Sequence, residues 1–177
     1  MKNKCFVFLS VILLIILGII LGGIYLGNSL VEKKEQVVAS DTVEAKLATK
    51  ESVEKAISDE LKNFRYAELF SNDTIFKLAN FDSDGTGKSV KERIKKSEEF
   101  NNLIKKLASD KNSQAYKMTL GDQRFSQAVK AFIASDNNLT KTYNLYNENA
   151  KNLNNFIDTF PGSVIAKLLK VDKVKVY

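Results

Sequence analysis

The most apolar stretch of the chain runs from Phe6 to Leu26, where 21 consecutive positions carry no charged residue. As an α-helix that rises about 1.5 Å per residue, this stretch is roughly 31 Å long, close to the hydrocarbon thickness of a bilayer. The pattern predicts a transmembrane anchor with a short basic flank over residues 1–28, in contact with the lipid bilayer through residues 6–26. The expected location is the cell membrane, crossed once.

A cleaved signal peptide is the alternative interpretation, because Lys2 and Lys4 form a basic region before the apolar stretch. The stretch is longer than the usual apolar core of a signal peptide, and the nearest small-residue cleavage pattern, at residues 37–39, lies well beyond its end. Cys5 precedes the stretch, so it is not placed like the lipidated cysteine of a bacterial lipoprotein. These features favour the uncleaved anchor.

The basic residues on the two sides of the anchor nearly balance. Lys2 and Lys4 lie before it, and Lys33 and Lys34 lie after it. Because cytoplasmic flanks are enriched in lysine and arginine, and because the first pair adjoins the apolar stretch directly, we expect the N-terminus in the cytoplasm. The main domain is then expected outside the cytoplasm.

Beyond the anchor, apolar residues recur at spacings that suit helices. No proline interrupts residues 27–64, so the membrane helix is expected to run on into the domain. Ser89 and Glu92 form an S-x-x-E capping box that predicts the start of another helix. The stripe of the first segment comprises Leu30, Val31, Val37, Val38, Leu47, Val53, Ile57, Leu61 and Phe64, and that of the second comprises Val90, Ile94, Phe100, Leu103, Ile104 and Leu107.

The strongest pattern is a seam of residues spaced alternately four and three apart. Asp136 is its one polar member, and Pro161-Gly162 is expected to end the helix. The seam comprises Phe125, Val129, Phe132, Asp136, Leu139, Tyr143, Tyr146, Ala150, Leu153, Ile157 and Phe160. A seam of this length must be buried, either within the chain or against another copy.

The expected fold is therefore all-α. An N-terminal transmembrane helix leads into an antiparallel bundle of three to four long helices over residues 29–160, followed by a short helix and tail over residues 161–177. A homo-oligomeric coiled-coil stalk, in which the seam pairs between copies, is the alternative arrangement.

Composition narrows the possible chemistry. The chain has one cysteine and no histidine, so its main domain lacks a thiol nucleophile and the usual general base and metal ligand. Asp136 stands alone in its seam, which favours a structural role facing a lysine or arginine on a neighbouring helix, or a break in the helix, over a catalytic one. We expect no enzyme activity, catalytic residue, cofactor or metal.

The formal net charge of +6 suggests an anionic partner. Lysines alternate with acidic residues at helical spacing, however, which is typical of solvated helix faces. Phenylalanine and tyrosine lie at core spacing rather than among basic residues, so we expect no nucleic acid partner.

The segment DSDGTGKS, residues 82–89, resembles two binding loops and fits neither. A phosphate-binding loop requires glycine where Asp82 stands, and no buried strand precedes it. An EF-hand in the register that places Gly85 sixth has Lys91 instead of glutamate at its twelfth position. The prediction is an inter-helix turn, with weak calcium coordination by Asp82 and Asp84 as the alternative.

The C-terminal third resembles the LemA family. The carrying residues are Tyr146-Asn147, Leu153-Asn154, Phe160-Pro161 and Ala166, whose spacing agrees with the closing signature of that family. The entry IYLGNSLVEKKEQV after the anchor is similar to the family as well. Leu153 replaces the second tyrosine of the signature, so the chain is identified as a divergent member.

The resemblance implies an anchored helical bundle in a bacterium and no established catalytic residues. Tyr146, Asn147, Asn154, Phe160, Pro161 and Ala166 are then expected to be structural, with Tyr146 and Phe160 in the seam. The expected function is a non-enzymatic adaptor or scaffold of the cell envelope, with a protein partner. Two alternatives remain: the homo-oligomeric stalk, and an enzyme or binder that acts on an anionic envelope polymer.

Overall fold

A computed structural model describes the backbone of residues 2–177 and the side chains of residues 12–63 and 65–177. The side chains of Cys5, Phe6 and Phe64 therefore lie outside the described ones. All regular elements of the described chain are helical: α1 (Lys2–Ser40), α2 (Val43–Leu61), a 3₁₀ helix (Phe64–Ser71), α3 (Asp73–Ala79), α4 (Val90–Ser109), α5 (Gln114–Met118), α6 (Gln123–Asp158) and α7 (Gly162–Leu168). The all-α prediction is confirmed for this part of the chain.

Helix α1 contains the apolar stretch and continues beyond it. By length and composition the helix can cross a membrane, a property that it shares with signal sequences. Its predicted continuation is confirmed as far as Ser40, whose hydroxyl donates to the carbonyl oxygens of Gln36, at 2.9 Å, and Val37, at 3.0 Å. The helix does not run on without interruption, because Asp41 and Thr42 separate it from α2.

Residue contacts divide the chain into two compact units. The central unit comprises Thr42–Asn144 with Tyr177, and the terminal unit comprises Met1–Asp41 with Leu145–Val176. Helix α6 contributes to both. In the central unit the core is aromatic at its centre, with the ring centroid of Phe100 4.9 Å from that of Phe81 and 5.1 Å from that of Phe132. Around them pack, among others, Ile57, Leu61, Leu69, Ile75, Leu78, Ile104, Leu107, Phe125 and Val129.

Helix α4 begins where the capping box predicts. The backbone N–H of Ser89 donates to the Glu92 carboxylate at 2.9 Å, and the Ser89 hydroxyl accepts from the backbone N–H of Glu92 at 3.3 Å. These two bonds satisfy donors that the first turn of a helix otherwise leaves unpaired.

The predicted seam of α6 is largely buried. Phe160 is the exception and corrects the prediction: it is 84% exposed and lies beyond Asp158, where α6 ends. A residue before proline is disfavoured in helical conformation, so the helix ends before Phe160 can join the seam. The buried members are Phe125, Val129, Phe132, Leu139, Tyr146, Ala150 and Leu153, and the half-buried ones are Asp136, Tyr143 and Ile157.

In the terminal unit, α7 packs against α1. Its buried residues are Gly162 and Ala166, and Gly162 lies so close to Phe156 of α6 that a Cβ at this position would clash with it. On α1, Leu30 and Val37 are buried, and on α6, Ala150 and Leu153 are buried.

Candidate functional sites

A buried polar network joins α2, α4 and α6 in the central unit. Lys50 and Glu54 of α2 are each only 1% exposed. The ammonium of Lys50 donates to one carboxylate oxygen of Asp136 on α6, and the side-chain amide of Asn101 on α4 donates to the other at 3.2 Å. Lys50 Nζ also lies 5.0 Å from the ring centroid of Phe132. Of the structural roles expected for Asp136, the structure shows the pairing with a basic residue of a neighbouring helix, and that residue is Lys50.

Glu54 is the second acidic group of this network. It accepts a hydrogen bond from the Ser97 hydroxyl of α4. Burial is the main cause that raises the pKa of the Glu54 carboxyl to about 7. The Ser97 hydrogen bond and the Lys50 charge lower this pKa, and the charges of Glu51 and Asp136 raise it. Glu54 is therefore a carboxyl that exchanges its proton near neutral pH.

An ion pair lies beside the network. Arg93 of α4 donates to Glu51 of α2 through Nε at 2.7 Å and through Nη2 at 2.6 Å, and both side chains are largely buried. This two-pronged hydrogen bond raises the pKa of Arg93. The network and the ion pair together fix α2 against α4.

A cavity of about 220 Å³ adjoins Lys50 and Asp136. Ile94, Leu139 and Tyr143 contribute to its wall, and the Tyr143 hydroxyl donates to the main-chain carbonyl of Tyr177 at 3.0 Å. Asp136 is the partly exposed acid of the network, and both of its oxygens accept hydrogen bonds. These are the bonds of a structural ion pair that fixes neighbouring helices.

The loop at residues 82–89 forms the predicted inter-helix turn. Asp82 accepts from Lys88 at 3.2 Å and from Lys96, and the Lys96 hydrogen bond is the main reason that its pKa lies below the usual range. Asp84 accepts from the backbone N–H and hydroxyl of Thr86, at 2.9 and 2.6 Å. Both carboxylates are thus engaged by groups of the loop and of α4. Among the described residues, no group of three or more acidic or cysteine side chains is placed to hold a metal.

An open apolar groove lies between α3 and α4 in the central unit and was not predicted from the sequence. Its volume is about 580 Å³, and its floor contains Phe76, Phe81 and Leu103. Phe76 is 54% exposed although it belongs to a core-forming helix. The rim carries both signs of charge, from Lys77, Asp82, Glu99 and Lys106. The residue in the sequence that could have indicated the groove is Phe76. It lies on a short helix whose buried residues include Ile75, Leu78 and Ala79, so its aromatic side chain is on the outer side.

Two of the residues on which the resemblance to a known family rests, Tyr146 and Asn154, hold the tail that follows α7. The Tyr146 hydroxyl donates to the Lys175 carbonyl at 3.0 Å. The Asn154 amide makes two bonds to Val174, donating to its carbonyl at 2.8 Å and accepting from its N–H at 2.9 Å. Of the remaining signature residues, Ala166 is buried, Asn147 is half-buried, and Phe160 and Pro161 are exposed.

Comparison of the chain with models of known protein families, with curated proteins and with solved structures gives no match.

Proposed function

We propose that this protein is a membrane-anchored, non-enzymatic adaptor or scaffold of the bacterial cell envelope, related to the LemA family as a divergent member. The observation that carries the proposal is the open apolar groove between α3 and α4 with its mixed-charge rim. Exposed apolar surface of this kind, bordered by charges, is typical of sites that bind another protein.

The groove suits an amphipathic helix of a partner. In that mode of recognition, apolar side chains of the partner enter a groove between helices, and charges along the rim select the register. Phe76 and Phe81 supply aromatic contact area, and Lys106 and Glu99 offer one charge of each sign. The partner is therefore a protein with an exposed amphipathic helix.

We propose that the anchor tethers the unit that contains this groove to a membrane. We propose that α1 crosses the bilayer through residues 6–26, with the N-terminus in the cytoplasm and the main domain outside it. We further propose that the central unit is an antiparallel bundle, supported by the polar contacts of α2 with α4 and with α6. Fusing a reporter active only outside the cytoplasm, or one active only inside, after Tyr177 tests the sidedness. Activity of the cytoplasmic reporter alone would contradict it.

Site-specific photo-cross-linking tests the groove. A photoreactive phenylalanine analogue replaces Phe76 in the full chain expressed in cells, and the same analogue replaces Ile133 as the matched control. Ile133 is 48% exposed, is in the same unit and does not line the groove. We expect one discrete protein adduct from position 76 and none from position 133. Equal adducts at both positions, or none at either, would refute the groove as the partner site.

The homo-oligomeric stalk is less well supported. Its seam has partners within the chain, because Phe125, Phe132 and Leu153 are fully buried. Pairing between copies would first have to expose these side chains to water, at about 1.5–3 kcal/mol each. Sedimentation of the detergent-solubilised chain over a wide concentration range distinguishes the two, since the stalk requires self-association.

The tail contacts support a structural role for the family signature. Tyr146 and Asn154 use their polar groups to bind the main chain of residues 174 and 175. Because these groups are already hydrogen-bonded, we propose that the signature fixes the tail rather than recognising a ligand.

A further inference from the structure

Large apolar side chains are exposed on α7 and at both of its ends. Val164 and Leu168 are four residues apart on one side of the helix, while Phe160 precedes the helix and Leu169 follows it. All four are exposed, with Phe160 at 84% and Leu168 at 72%. We call these four residues the α7 patch. The helix thus turns small residues inward, Gly162 and Ala166, and large apolar residues outward.

Contacts within the terminal unit determine where the patch lies along α1. The Asn149 amide of α6 donates to the Gln36 carbonyl at 3.2 Å and to the Ser40 hydroxyl at 3.3 Å. Helix α1 ends at Ser40, yet α7, which follows α6, packs against α1. Helix α6 must therefore run back along α1 from Asn149 towards the apolar stretch.

The length of α6 beyond Asn149 brings α7 to the end of the apolar stretch of α1. From Asn149 to Asp158, α6 advances about 13 Å at about 1.5 Å per residue. The same distance along α1, measured back from Gln36–Ser40, leads close to Leu30, near the last residue of the apolar stretch at Leu26. On α1, Leu30 is buried and Leu26 is half-buried, which is consistent with a neighbour at this level.

We propose that the α7 patch is a second membrane contact, which inserts into the headgroup region of the bilayer that α1 crosses. This inference rests on the transmembrane anchor of the proposed function. Phe160 and Leu168 enter the boundary of the acyl chains, as aromatic and aliphatic residues do at membrane interfaces. Lys167 and Lys170, both exposed, flank the patch and bind anionic phosphate groups of the lipids.

The absence of tryptophan from the sequence provides a direct test. Phe160→Trp in the full chain introduces a single reporter, and the protein is reconstituted in nanodiscs of phosphatidylcholine and phosphatidylglycerol. Lipids brominated near the headgroup quench tryptophan that touches them. We expect blue-shifted emission from Phe160→Trp and strong quenching by these lipids. Phe76→Trp, in the central unit, is the exposed control and should show neither.

A third variant separates failure of this inference from failure of the anchor. Leu17→Trp lies within the apolar stretch and is expected to be quenched by lipids brominated deep in the acyl chains. If Leu17→Trp is quenched and Phe160→Trp is not, the anchor stands and the α7 contact is refuted. A blue shift at Phe160→Trp without quenching indicates a protein cover, such as a second copy, and also refutes it. If neither variant is quenched, both the anchor and the α7 contact are wrong.

The lysines are tested in the same background. Lys167→Gln with Lys170→Gln is expected to reduce the quenching of Phe160→Trp in anionic nanodiscs, and to leave it unchanged in discs of phosphatidylcholine alone. An equal effect in both lipids would refute the role of headgroup charge.

Discussion

Replacing Glu54 by glutamine is expected to stabilise the protein at and above neutral pH. Glu54 is almost fully buried in the central unit and accepts from the Ser97 hydroxyl. Burial raises the pKa of its carboxyl from 4.5 to about 7. Glutamine has nearly the same shape, still accepts the Ser97 hydrogen bond and carries no charge to be desolvated. The substitution therefore removes the cost of ionising a buried group.

The sign and size of the effect follow from proton linkage. Below about pH 4.5 the carboxyl is protonated in both the folded and unfolded states, so it contributes no pH dependence. Between about pH 4.5 and about pH 7 the folded state binds a proton that the unfolded state has lost, so rising pH lowers the free energy of unfolding. At about 1.4 kcal/mol per pH unit, the loss approaches about 3–4 kcal/mol once pH exceeds the folded-state pKa.

The assay is urea unfolding of the full chain in detergent, followed by circular dichroism between about pH 5 and about pH 8. Relative to the native sequence, Glu54→Gln should gain stability progressively over this range. Glu68→Gln changes the same type of residue at an exposed position and is the control. Parallel pH profiles for the native chain and Glu54→Gln would refute the reasoning, because they would mean that Glu54 ionises as easily in the folded as in the unfolded state.

Three further sets of substitutions test the polar contacts. Asp136→Ala leaves the buried Lys50 ammonium without its counter-charge and should lower the free energy of unfolding by about 3 kcal/mol. The double variant Asp136→Leu with Lys50→Met should recover much of that loss. Equal losses in the two variants would contradict the ion-pair account. Asn154→Ala removes both hydrogen bonds to Val174 and should speed hydrogen exchange of the Val174 amide roughly tenfold, while the helix content stays unchanged. Unaltered exchange would show that other contacts hold the tail. Ser89→Ala removes a helix cap and should cost about 1 kcal/mol in urea unfolding, most of which Ser89→Asp should restore.

Local signals predicted α4 and α6 well because their ends depend on neighbouring residues. The capping box fixed the start of α4. Helix α6 was expected over the seam from Phe125 to Phe160 and occupies Gln123–Asp158, two residues earlier at each end. At its start the Asp122 carboxylate accepts from the backbone N–H groups of Arg124, at 2.9 Å, and Phe125, at 3.1 Å, which caps the helix before the seam begins.

The polar network and the groove were missed for a different reason. A lysine and a glutamate in a helical segment are normally solvated, so Lys50 and Glu54 were not assigned to the core. The groove depends on how α3 packs beside α4, a tertiary relation that spacing along one helix does not contain. The sequence pattern therefore predicted the helices but not the surface between them.

A signal for the network was nevertheless present in the sequence. Six buried residues of α2 are spaced alternately four and three apart, the same pattern as the seam of α6. They are Val43, Leu47, Lys50, Glu54, Ile57 and Leu61. The α2 seam thus contains Lys50, and the α6 seam contains Asp136. Opposite charges within two largely apolar seams indicate that the seams face each other.

This pairing also bears on whether α6 can associate with a second copy. Two copies of α6 paired in parallel and in register along the seam would place Asp136 against Asp136, a like-charge contact in a poorly solvated position. Pairing α6 with α2 of the same chain instead sets Asp136 against Lys50. The charge pattern therefore favours burial of the seam within one chain.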